Sequence, residues 1–315
     1  RPRLLQELTD PFLEQTQRAR HRFDVLRRKI TKEVVAEPRD RLFHLLRKVT
    51  TFRHDMDHVD ARGLETLLTE ERFRETPATL YFLAEQVSDY SHLLKGLPAQ
   101  LEVGYHSDDR PLFLSTHSRS AAWTIRSLRR RLTRRYRELK GFELPVRGFS
   151  FHTTSNYVCF QNWFNWQILR SACCRTPWAY LSGYELMSRI PEGTDHFPVA
   201  DPPLRWSYEG HSIPVIETSW DDRYFFHDEV EKLVHNRSSL RDVSLEEAIA
   251  SVTGSFQKTC LEKGMPLVVN LHPIHSLRGD LSLLDLRDAI QDLAEQHSFP
   301  VLNLFDLVSK IDTDD

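Results

Sequence analysis

Cysteine is scarce in this chain of 315 residues, and its four cysteines include no CxxC pair. Cys173 and Cys174 are adjacent, while Cys159 and Cys260 stand alone. That spacing excludes a disulfide-built scaffold and a zinc ribbon. Glycine (11) and proline (16) are too few for a collagen-like or low-complexity chain. No run of about 18 apolar residues occurs, so no membrane-spanning helix is expected. Neither GxGxxG nor GxxxxGKS/T follows an apolar run, so the two usual nucleotide cradles are missing. An excess of one charge sign is missing as well. Lys and Arg total 42 against 45 Asp and Glu, a formal charge of -3, so no global field draws the chain onto nucleic acid or an anionic membrane. There is no internal repeat. The chain begins at Arg1 without a signal-peptide pattern, and with its unpaired cysteines it reads as cytoplasmic.

What is present is an ordinary globular composition, 40% hydrophobic and 28% charged. The length allows one large domain or two modest ones. In residues 1–47, Phe23, Leu26, Ile30 and Val34 recur at helical spacing, and Leu42, Phe43, Leu45 and Leu46 follow. This predicts a helical extension over 1–47. From residue 48 the rhythm changes to short apolar strands and longer helical stretches. The strand candidates are 49–53, 79–83, 101–105, 146–151, 213–219, 267–271 and 301–304. Helical patterns over 61–73, 85–97, 118–140 and 281–297 lie between them. Such alternation argues for a parallel sheet with crossover helices, closed into a barrel or open and doubly wound. The helix over 118–140 sets Ile125, Leu128, Leu132, Tyr136 and Leu139 on one apolar stripe and arginines on its other faces. The first reading is a solvated basic face; the second is attraction for an anionic polymer. The near-neutral chain favours the first.

Chemistry-bearing residues cluster where strands end. The first strand runs into Asp55 and Asp57, flanked by His54 and His58. Two residues apart on an extended strand, the two carboxylates would share a face. Burying them next to an apolar run is costly unless they bind something. The third strand ends at His106, followed by Asp108 and Asp109; the fourth ends at His152; the strand over 267–271 ends at His272, with His275 three residues on. In parallel β/α folds, active sites sit at this end of the strands. Aspartate and histidine ligands with an open coordination position suit zinc or a related divalent ion. Among the aromatics, Trp163 and Trp166 share a helix face and read as core rather than as a sugar platform. Trp220, in ETSWDD, is placed at a strand end where it would line a pocket. Asp221 and Asp222 follow it, to hydrogen-bond a sugar hydroxyl or lie in solvent.

The ordered set RHDMDH, EVGYH, RGFSFH, IPVIETSWDD and VVNLHP resembles the polysaccharide deacetylase superfamily (NodB-homology, carbohydrate esterase family 4-like), over about residues 48–308. The resemblance implies an irregular (β/α)7 TIM-like barrel over 48–315 behind the helical extension. It implies a metal-dependent hydrolase that removes an acetyl group from an N- or O-acetylated saccharide or glycan precursor. It makes Asp55 the base and Asp57 a metal ligand. His106 matches the first histidine of the family's His-x-x-x-His motif, but Arg110 stands where the second belongs, and a guanidinium has no lone pair to offer. Resemblance to a subgroup with one histidine there makes His152 the replacement ligand, with Asp108 and Asp109 as weaker alternatives. Arg147 would orient Asp55, as arginines of the third motif do. His272 falls near the last motif and would protonate the leaving group. The cofactor implied is a divalent metal, zinc in the first instance, and the partner is an acetylated saccharide rather than nucleic acid or a membrane. Two other functions fit the pattern: a degenerate glycan-binding or assembly module of the same fold, and a hydrolase of another C–N amide.

Overall fold

The computed structural model describes residues 37–41, 49–107, 121–151, 172–183, 204–222, 244–273 and 283–312. Their strands are β1 (Glu37–Arg41), β2 (Thr50–Asp55), β3 (Ala78–Phe82), β4 (Leu101–Ser107), β5 (Gly148–Phe151), β6 (Tyr180–Gly183), β7 (Leu204–Tyr208), β8 (His211–Glu217), β9 (Trp220–Asp221), β10 (Leu267–Leu271) and β11 (Val301–Leu302). Between them run α1 (Ala61–Thr69), α2 (Glu71–Glu75), α3 (Ala84–Asp89), α4 (Ser91–Leu94), α5 (Ala121–Lys140), α6 (Leu245–Phe256), α7 (Leu283–Gln296) and α8 (Leu304–Asp312). A π-helical turn, Gln257–Glu262, extends α6. Among the described residues, no helix is long and apolar enough to cross a membrane.

Strands β10, β2, β3, β4, β5 and β6 are neighbours in that order, all parallel. β8 pairs in parallel with β6, and β9 pairs in parallel with β10. Only Thr218 and Ser219 separate β8 from β9. Residues 211–221 are therefore one bent stave that joins both ends of the parallel set. Ser219 reinforces the join, donating its backbone N–H to the Val268 carbonyl at 2.8 Å. The described strands thus close as a ring of seven staves, the expected (β/α)7 barrel. β7 pairs antiparallel to β8, and β1 antiparallel to β7.

Two corrections to the sequence reading follow. Residues 37–41, expected within a helical extension, form β1 instead. It ends the run of strands, where Pro38, lacking an N–H, is tolerated. The segment over 301–304 is not a stave: among the described residues, β11 pairs only with Thr50 and Thr51 at the start of β2. The stave that was missed is β6. Residues 1–36 and 42–48 lie outside the described residues.

The staves are buried on both faces, as a barrel wrapped in helices requires. One apolar cluster lies outside the ring, where Phe52, Leu80, Phe82, Val103, Phe149 and Leu271 meet the helices. A second fills the floor, where Val49, Tyr81, Tyr180, Ile216 and Val268 pack on Leu304, Leu307 and Val308 of α8. Glu102 fixes that plug. Its Oε2 accepts from Thr79 Oγ1 (2.8 Å), Tyr180 Oη (2.9 Å) and the Phe305 N–H (3.0 Å). Burial pushes Glu102 up to about 7 against the pull of those donors.

Glycines make room for the two lumen tyrosines. A Cβ on Gly104 would lie 2.5 Å from the Tyr81 ring, and one on Gly148 would lie 2.1 Å from Tyr180. Gly148→Ala should therefore destabilise the fold by about 1–3 kcal/mol, the cost of overpacking a filled core. Urea unfolding measures this, and a change below about 0.5 kcal/mol would mean that the lumen is not tightly filled.

Candidate active site at the barrel rim

Strand parity builds the site. In β2, Phe52 and His54 face the helices, and His54 lies against the Phe73 ring with centroids 5.5 Å apart. Arg53 and Asp55 face the lumen. Arg53 reaches across it, from Nη2 to Ser150 Oγ of β5 (2.6 Å) and from Nη1 to Ser182 Oγ of β6 (3.2 Å). Its guanidinium also lies 4.7 Å from the centre of the Tyr81 ring. One layer nearer the rim, Nε and Nη2 both donate to Asp55 Oδ1, at 3.1 and 2.8 Å.

Asn270 of β10 completes the hold on Asp55. Its Nδ2 donates to Asp55 Oδ2 (3.0 Å) and to Asp221 Oδ2 (2.7 Å). His272, just past β10, presents Nε2 to Asp55 Oδ2 at 3.5 Å. Its other ring nitrogen, Nδ1, is 2.5 Å from Asp222 Oδ1, and its backbone N–H donates to Asp222 Oδ2 at 2.7 Å. A carboxylate only accepts, so Nδ1 carries the proton in that pair. His106, near the end of β4, places Nδ1 3.8 Å from Asp55 Oδ1. Asp57 sits in the turn after β2, its side chain nearly buried and 3.4 Å from the exposed His58 ring.

Electrostatics divide the two central groups. Burial alone would raise Asp55, but the Arg53 guanidinium, then His106 and His272, hold its carboxyl well below the usual carboxylate range. Burial alone would lower His272, but Asp222, Asp221 and Asp55 outweigh it and hold the imidazole up at about 9. The rim thus pairs an ionised carboxylate with a protonated imidazole, base and acid side by side.

The structure gathers Asp55, His106, His272 and Asp221 at this rim, and it separates two other predicted residues from it. Arg147 precedes β5, at the floor, where its guanidinium lies 3.8 Å from the centre of the Phe305 ring. It cannot orient Asp55; Arg53 does. Trp220 is also turned away. Asp221 faces the lumen, so its neighbour on the strand faces outward. Trp220 packs in the outer apolar cluster and donates Nε1–H to Ser251 Oγ of α6 at 3.0 Å. His152, Asp108, Asp109, Arg110, Trp163, Trp166, Cys159 and His275 lie outside the described residues. Sequence reasoning missed Arg53 and Asn270. Each lies two residues before a predicted catalytic residue on the same strand face, and that spacing was a usable signal.

The rim suits a cation. Three buried carboxylates, Asp55, Asp221 and Asp222, and the partly buried Asp57 stand there against Arg53 and protonated His272. Oxygen and imidazole donors match a divalent ion such as zinc. Asp221, Asp222 and His272 offer ligand atoms within 4.8 Å of one another. Those three already hydrogen-bond to one another or to Asn270, so an ion there would have to displace existing bonds.

Comparison with protein-family models and with curated proteins returns no match. Among solved structures, the chain is similar to a candidate polysaccharide deacetylase from Mycobacterium smegmatis. The TM-score is 0.52 at 14% identity, covering 89% of this chain and 96% of that one. The chain has the fold of that protein over nearly the whole length of both, in agreement with the resemblance read from the motifs. A pseudoenzyme of carbohydrate esterase family 4 from Bacillus anthracis aligns with a TM-score of 0.42 at 13% identity, covering 84% of this chain and 66% of that one. A mutant pseudoenzyme of the same family, with restored enzymatic activity, aligns with a TM-score of 0.44 at 13% identity, covering 84% and 68%.

His272 links the site to stability. Its folded value of about 9 lies above the ordinary 6.5. Its contribution is therefore complete below pH 6.5 and is lost as pH rises through about 9. Asp222→Asn should lower stability at pH 6 and flatten that decline. Urea unfolding at several pH values in both proteins isolates the effect, since Glu102 titrates equally in each. Parallel curves for the two proteins would contradict it.

Proposed function

We propose that this barrel is a hydrolase that removes an acetyl group from an N- or O-acetylated saccharide. The observation that carries this reading is the pairing of Asp55 with His272 on the rim of a barrel with a deacetylase's fold. Asp55 takes a proton from the attacking water at Oδ2, the oxygen that faces His272, while Arg53 and Asn270 keep the carboxylate from turning. Protonated His272 gives its Nε2 proton to the leaving amine or alcohol, and Asp222 steadies the imidazole from Nδ1. Asp57, His106 and His152 are the proposed holders of a divalent ion, zinc in the first instance. When bound, it supplies Lewis acidity at the acyl oxygen and lowers the pKa of water toward 7. The Asp221–Asp222–His272 group is kept for proton transfer in this reading, because a protonated imidazole is not a ligand.

The test is acetate release from a panel of N- and O-acetylated oligosaccharides, with added zinc and after chelation. The proposal expects turnover that chelation abolishes, and a drop of about 10²–10⁴ in Asp55→Asn, the worth of a positioned base. Tight binding of a glycan without acetate release in any condition would instead favour a binding module, a reading that Arg110 in place of a ligand histidine keeps open.

A further inference from the structure

The floor of the barrel is closed by a helix whose first turn is held by side chains of the staves. Asn303 caps α8, its Oδ1 accepting the Asp306 N–H at 2.8 Å. The two N–H groups before it turn to the staves instead. The Leu304 N–H donates to Thr79 Oγ1 of β3 at 2.9 Å, and the Phe305 N–H to Glu102 Oε2 of β4 at 3.0 Å. Thr79 Oγ1 and Tyr180 Oη donate to that same oxygen. All three donors therefore reach Oε2. The other oxygen, Oε1, is buried and has no hydrogen-bond partner among the described residues. This buried carboxyl takes no part in the chemistry of the rim, yet it grips the one helix that seals the opposite end.

A charged carboxylate with one bare oxygen is costly to keep beside an apolar floor. A proton on Oε1 removes that charge and leaves Oε2 able to accept. Water would solvate the charge instead, and withdrawing α8 opens the floor to water. Ionisation of Glu102 and docking of α8 therefore compete. Leu304, Leu307 and Val308 hold the helix by their burial. At nine residues it is shorter than the about 12–15 that a helix needs to persist alone in water, so leaving the floor means unwinding. We propose that α8 is a proton-gated plug, docked while Glu102 carries a proton and loosened when Glu102 ionises. This inference is independent of the deacetylase reading. Its sign follows from burial, which pushes Glu102 up to about 7 from the ordinary 4.5. The contribution to docking is complete below about 4.5 and is lost as pH rises through about 7. The other ionisable groups nearby do not change charge in that window. Burial holds the phenols of Tyr81 and Tyr180 protonated far above neutral. Arg147, over the Phe305 ring, and Arg53, over the Tyr81 ring, are permanent cations. On α8 itself, Asp306 accepts from Asn303 Nδ2 at 2.8 Å, and Lys310 stands in the last turn.

Amide hydrogen exchange of the full chain, from about pH 5 to about pH 8, reads the opening of α8 once each rate is divided by its intrinsic value at that pH. The opening constant of α8 should rise by up to about tenfold per pH unit and level off above about 7. At the upper end α8 should open more readily than α7. Glu102→Gln, neutral at every pH, should remove the rise. Tyr180→Phe takes one donor from the ionised form and should move the rise to higher pH. A flat profile in the wild type overturns the proposal, as does a wild-type profile in Glu102→Gln. Equal opening constants for α7 and α8 at every pH would mean that α8 leaves only when the barrel unfolds, and would overturn it too. If Glu102→Gln fails to fold, Tyr180→Phe decides together with a carbon-13 NMR titration of the Glu102 carboxyl in the wild type. A carboxyl that titrates at its ordinary value, or a rise that Tyr180→Phe leaves in place, contradicts the plug.

Discussion

The buried ion pair between Arg53 and Asp55 is the interaction on which the rim depends. Both residues are almost fully enclosed, and a charge removed from water without a partner costs several kcal/mol. Arg53 meets that demand from four staves at once. It gives two bonds to Asp55 on its own strand, one to Ser150 on β5 and one to Ser182 on β6, and it lies against Tyr81 of β3. An arginine long enough to cross the lumen therefore ties the carboxylate and opposite walls of the barrel together. The space it crosses is set by Gly104 and Gly148, which leave room for Tyr81 and Tyr180 beneath it. Losing the pair would loosen the barrel and free the proposed base together.

From that fixed carboxylate the acid–base division follows. Asp55 sits between a permanent cation on one side and two imidazoles on the other, which keeps it ionised. His272 faces three carboxylates, which keeps it protonated. Asn270 stands between Asp55 and Asp221, neutral and donating to both, and so keeps two like charges bridged rather than opposed. Neither histidine nor aspartate would hold its state alone at this depth. The arrangement works because the bent stave over 211–221 brings Asp221 and Asp222 next to β10.

Much of this was legible in the sequence because parity and strand ends are local properties. The ends of β2, β4 and β10 were visible as apolar runs, so Asp55, His106 and His272 could be placed on one rim. Errors arose where the answer depended on which end, or which face, of a short strand was in question. Arg147 was read beside a strand end, but it stands before β5 and so lies at the floor. Trp220 was read at a pocket, but Asp221 takes the inward face of that two-residue strand. The stave β6 has four residues and only one strongly apolar aliphatic, Leu181, too little to register as a run. β11 had the apolar run but, among the described residues, pairs only with the start of β2. Arg53 escaped notice because its partners on β5 and β6 lie far along the chain, and the one local signal was its place two residues before Asp55 on the same strand face.

The division of labour at the rim, with Asp55 and His272 moving protons and Asp57 and His106 left to hold an ion, is tested most directly by crystals grown with zinc and measured at the zinc absorption edge. The account predicts an anomalous peak about 2.0–2.2 Å from Asp57 and His106, with Asp55 still bonded to Arg53 and Asn270 and outside the coordination sphere. A peak centred on Asp221, Asp222 and His272, or one that draws Asp55 away from Arg53 to become a ligand, would contradict it.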